Sequence, residues 1–160
     1  MNIIKAFIVA LAFCLPFSAF ALTDDEQVIF TDALRTGKVK VVKKYLDNGS
    51  ATVNEKSFAW SALQMAADKG QLEVVKLLVE GGAEIDYKHP VNKMTALHLA
   101  AYSGHNEVVK YLISKGADPK IKMRGGVSIV RAVKDQGHDS TVAILEAAGA
   151  TDDGCQGSCN

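Results

Sequence analysis

Two glycine series run through this chain in fixed phase. Gly37, Gly70, Gly104 and Gly137 are separated by 33, 34 and 33 residues, and Gly49, Gly82, Gly116 and Gly149 each follow 12 residues later. Period and phase kept over four units make the chain an array of one repeated supersecondary unit. The third unit shows what that unit is. Asn106–Ile113 places Val108, Val109, Leu112 and Ile113 on one face at helical spacing. Thr95–Ser103 has helical composition, and Gly104 stands where that helix must stop in a left-handed turn. Each period therefore reads as helix, tight turn, helix and extended loop, an all-α architecture.

The motifs within the units resemble the ankyrin repeat, over roughly residues 24–152. The third unit carries Thr95-Ala96-Leu97-His98-Leu99-Ala100-Ala101, then Gly104-His105-Asn106-Glu107-Val108-Val109-Lys110, then Gly116-Ala117-Asp118. The second has Ser61-Ala62-Leu63-Gln64, Ala66-Ala67, Gly70, Glu73-Val74-Val75-Lys76 and Gly82-Ala83-Glu84. The resemblance implies a solenoid of about four helix-turn-helix repeats. The end units depart from the pattern. Ala33-Leu34 and Val133-Lys134 replace the alanine pair, and Lys134 makes the last outward face polar, as a stack needs at its ends. The family's proline is replaced by Ala62, Ala96 and Ile129, which implies a less rigid helix start.

Residues 1–21 read as a secretory signal peptide: Lys5 near the start, an apolar run at 6–15, then Pro16 and Ala19-Phe20-Ala21. An uncleaved anchor is the rival, since residues 3–22 just reach membrane-spanning length. Pro16 and the small residues before Leu22 favour cleavage. Phe13 before Cys14 argues against a lipoprotein. The expected organisation is signal peptide 1–21, repeat domain 22–152 and a cysteine-containing tail 153–160. The expected location is the periplasm of a Gram-negative bacterium, with secretion as the alternative. Cleavage removes Lys5 and leaves 17 basic against 18 acidic side chains. Such a balance provides no global attraction to nucleic acid or to an anionic membrane.

Candidate chemistry is sparse, and no catalytic, cofactor or metal residue is expected. Under the resemblance His98 ties its helix start to the neighbouring loop, and His105 and His138 take the usual place after the turn glycine. His89 has no such role and is expected as a solvated loop side chain. No Gly-x-Ser-x-Gly is present, and no Gly-Lys-Ser/Thr follows Gly125-Gly126. Cys155 and Cys159 are expected to close a local disulfide in an oxidising compartment. A redox pair, half a soft-metal site or two idle thiols remain open for them.

What the resemblance leaves is a binding surface: loop tips 54–60, 86–94 and 120–127 together with the first-helix faces. Phe58, Trp60, Met65, Tyr87, His89, Tyr102, Met123 and Arg124 are its candidate contacts. Aromatic, Met and Arg side chains in an aromatic-poor chain suit an interface centre, although Phe58 and Trp60 could instead pack between loops. The expected partner is another protein, a periplasmic enzyme to be inhibited, protected against or escorted, with the free chain a monomer. A secreted effector binding a host protein and a redox or metal accessory protein are the alternatives.

Overall fold

The computed structural model describes residues 22–152. The expected signal segment, Cys155 and Cys159 lie outside the described residues, and with them the expected disulfide. Four helix pairs follow one another: α1 (Asp24–Thr36) with α2 (Val39–Asp47), α3 (Ala62–Asp68) with α4 (Leu72–Glu80), α5 (Ala96–Tyr102) with α6 (Asn106–Ser114), and α7 (Ile129–Lys134) with α8 (Asp139–Ala147). A two-stranded hairpin, β1 (Lys56–Ser57) against β2 (Trp60–Ser61), precedes α3. First helices stack as α1, α3, α5, α7 and second helices as α2, α4, α6, α8.

The helix starts are firmer than the missing prolines suggest. Ser61 accepts from the Gln64 amide while Gln64 returns a bond to the Ser61 amide, and Thr95 with His98 does the same. These capping boxes satisfy two otherwise orphaned donors per helix, which replaces the pre-set backbone of a proline. Thr23 and Glu26 form a third box on α1, whose first turn carries Asp24, Asp25 and Glu26 against the helix dipole. At 13 residues, α1 is longer than the 7-residue α3 and α5 that stack after it.

The core is small-residue packing between layers. Ala33, Ala66, Ala67, Ala100 and Ala101 are fully buried among Leu34, Leu63 and Leu97. The second helices contribute Val42, Val74, Val75, Leu78, Val108, Val109, Leu112 and Leu145. The alanines let first helices approach closely, and the branched side chains fill the gap to the second layer. The turn glycines are required twice over. Gly70 and Gly104 have φ of 68° and 71°. A Cβ on Gly70 would also sit 2.7 Å from His105 Nδ1, and one on Gly104 3.0 Å from His138 Cε1. Each imidazole thus packs on the glycine one repeat earlier, and His105 Nε2 bonds the Asp68 carbonyl at 3.1 Å. The polar end expected of Lys134 is present, with Lys134 between Glu146 and Asp152.

Candidate protein-binding surface

The loop tips are joined to one another by named contacts, so they form one strip. In the first tip, Ser57 pairs with Trp60, which leaves Phe58 and Ala59 as the two turn residues. Their φ values are 50° and 68°. Positive φ at both central positions is the primed hairpin turn that Asn-Gly fills without strain. Phe and Ala there cost about 1–2 kcal/mol each. The second tip closes through His89 N–H donating to the Met94 carbonyl at 3.0 Å and Lys93 N–H to the His89 carbonyl at 2.9 Å. The third is a short 3-10 turn at Arg124–Gly126, bounded by Met123 N–H donating to the Val127 carbonyl.

Between the first two tips, the Trp60 and His89 rings stack with centroids 4.0 Å apart. Tyr87 Oη donates to the Ala59 carbonyl at 3.1 Å, and Lys56 Nζ lies 4.3 Å from the Tyr87 ring centre. The Arg124 amide donates to the Asn92 carbonyl at 2.9 Å and joins the third tip to the second. Deeper down, Gln64 Nε2 donates to the Met94 and Tyr87 carbonyls at 2.7 and 3.3 Å, and His98 Nε2 bonds the Ile121 carbonyl at 3.0 Å. Burial, opposed by the Ile121 bond, pushes the His98 pKa down to about 4. This histidine is structural, as the motif implied.

A family model of ankyrin repeats, three copies, matches residues 30–123. The chain is an ankyrin-repeat protein. Curated relatives carry the same likeness. Residues of this chain are 28% identical over 131 positions to ankyrin repeat, SAM and basic leucine zipper domain-containing protein 1 of Dasypus novemcinctus, covering 80% of the chain and 28% of that protein. The Loxodonta africana protein of that name is 28% identical over 124 positions, covering 76% of the chain and 26% of the relative. The chain thus spans about a quarter of the length of these relatives. Ankyrin stacks are protein-interaction scaffolds, typically without catalysis of their own.

Within this ankyrin-repeat protein the candidate contacts separate into two kinds. Phe58 is 96% exposed, Tyr102 44% exposed, and Arg124 lies out in solvent. Trp60, Met65, Tyr87 and Met123 are half-buried, with Met65 packed on the core. His89 corrects the expectation of a solvated side chain. It is only 8% exposed beneath Trp60, and its Nδ1 has no hydrogen-bond partner among the described residues. Tyr87 is a strut between tips.

The sequence reading passed over Val28 and Val91, exposed by 69% and 62%. Val28 was detectable, because Phe30, Ala33 and Leu34 set the buried face of α1 and Val28 falls out of phase with them. A groove of about 870 Å³ runs between α1 and the hairpin, lined by Val28, Thr31, Arg35, Phe58 and Lys69 among others. Phe58 forms part of its wall. Among the described residues no cluster of His, Cys, Asp or Glu could hold a metal ion, and no helix is long and apolar enough to cross a membrane.

Proposed function

We propose that this chain is an exported protein-binding scaffold, which acts in the periplasm by docking its tip strip and the adjoining groove onto an envelope enzyme. Phe58 carries the proposal. The Phe58 side chain is 96% exposed and gains almost no burial energy in the free chain, while the two-residue turn that carries it is strained. Backbone strain of this kind marks ligand-binding positions, and large rigid aromatics supply interface hot spots. The stack supports the tip without further ordering, which limits the entropy lost on docking. Its action is steric: an occupied enzyme surface is inhibited, protected or escorted. Export rests on the 1–21 segment, which has the charge, apolar length and small-residue site of a cleaved leader.

Affinity capture from envelope extract tests the docking, with the wild type, Phe58→Asp and Lys110→Glu compared side by side. A protein held by the wild type and Lys110→Glu but released by Phe58→Asp is the expected outcome. Retention by all three would remove the tip strip from the account. Sequencing of the processed product should begin at Leu22, and a full-length product resistant to carbonate washing of membranes would contradict export.

A further inference from the structure

From the charges on the tip strip we infer that the docking partner is an acidic protein segment with an apolar anchor residue, an inference that rests on the docking role proposed above. The chain as a whole carries no net charge, but its cations are unevenly neutralised. On the helices and their turns Lys38, Lys43, Lys69, Lys76, Lys110, Arg131 and Lys134 have carboxylate partners within ion-pair distance, while Arg35, Lys40, Lys44 and Lys115 have none among the described residues. On the tips Lys56, Lys88, Lys93, Lys120 and Arg124 are exposed, and none of them has a carboxylate at that distance among the described residues.

The carboxylates of the same loops are held at the loop roots. Asp86 accepts from the Asp118 amide at 3.2 Å, Asp118 accepts from the Lys120 amide at 2.9 Å, and Glu55 accepts from the Thr52 amide at 3.4 Å. Backbone and ring contacts hold successive tips together, so their cations add to one positive field along the strip. A field of that kind steers and orients a partner of opposite sign.

The occupant is protein and not polyphosphate for two reasons. Phe58, Val91 and Val28 offer apolar surface beside the cations, which suits an anchor side chain in the α1–hairpin groove. Asp24 and Asp32 also line that groove, where they would repel a phosphate backbone. Carboxylates on a folded or extended protein segment can be spaced to meet Lys88, Lys93, Lys120 and Arg124 and avoid these acids.

The test is selection of a random-peptide display library on the immobilised full chain. Peptides rich in Asp and Glu around a Leu, Phe or Trp should be enriched. Their affinity should fall about tenfold or more on the wild type between about 0.05 and 0.5 M salt. It should fall by a similar factor on the charge-reversed variant Lys88→Glu, Lys93→Glu, Lys120→Glu, Arg124→Glu, whose folding is checked by circular dichroism. The salt series needs no variant and stands if that protein fails to fold. Neutral or basic peptides that still require Phe58 would overturn the acidic partner and leave the docking role intact. A DNA duplex or phosphatidylserine vesicle binding more tightly than the best acidic peptide would overturn the partner class. Selected peptides indifferent to both Phe58→Ala and charge reversal would overturn the docking role as well.

Discussion

Gln64 and His98 do the same work in successive repeats, since each reaches from the start of a first helix to a carbonyl of the following loop. Only one of them titrates. His98 is almost wholly buried, and its folded pKa of about 4 lies below the unfolded value of 6.5. The unfolded chain therefore takes up the proton first. The contribution of His98 to stability is complete above pH 6.5 and is lost as the pH falls towards 4, by at most about 3 kcal/mol. Denaturant melts over that window should show the loss in the wild type and a flatter profile in His98→Gln, which copies the neighbouring repeat. Equal slopes would mean that another group drives the acid response. Phe58 gives the second residue-scale prediction. Replacing Phe58-Ala59 with Asn-Gly should raise stability by about 2–4 kcal/mol and abolish partner capture, whereas a less stable protein would show the turn to be unstrained. His98 was legible because its role is fixed by the Thr-x-x-His motif. His89 was not, because Trp60 from another loop buries it.

At the scale of elements, the glycine turns couple repeats as well as ending helices. Gly70 and Gly82 both have positive φ, 68° and 89°, but a Cβ on Gly82 meets nothing within 4 Å whereas one on Gly70 meets the His105 ring. Gly82→Ala should cost about 1 kcal/mol from backbone strain alone, and Gly70→Ala roughly 2–3 kcal/mol. The cost of Gly70→Ala should shrink when His105→Ala is made with it, because the clash partner is then gone. Additive losses would show that the imidazole does not press on the turn. The ends of the helices were readable from the two glycine series. Their starts are firmer than the missing proline implies, because the Ser61–Gln64 and Thr95–His98 boxes take its place. The extra length of α1 reflects its place at the end of the stack, which a repeat period does not encode.

Across the whole molecule, the tips divide their aromatic side chains between holding the array together and facing outward. Trp60 and Tyr87 join the first tip to the second, and Phe58, with Val91 on the second tip, projects into solvent. Composition identified the aromatic tips, but only the packing between loops separates glue from contact. Tyr87→Ala should consequently destabilise the fold by about 1–2 kcal/mol through the lost Ala59 bond and Lys56 contact. Phe58→Ala should leave the melting temperature in place or raise it. An equal loss for both would mean that the tips are not divided in this way. The outer helices offer the contrast, since Lys76 and Lys110 stand beside Glu73 and Glu107 on the second layer, away from the strip. Photo-crosslinking in living cells tests the docking surface most directly, with a benzophenone amino acid placed at position 58 or, separately, at position 110. The account predicts a discrete protein adduct from position 58 and none from position 110. An adduct from position 110 alone would contradict it.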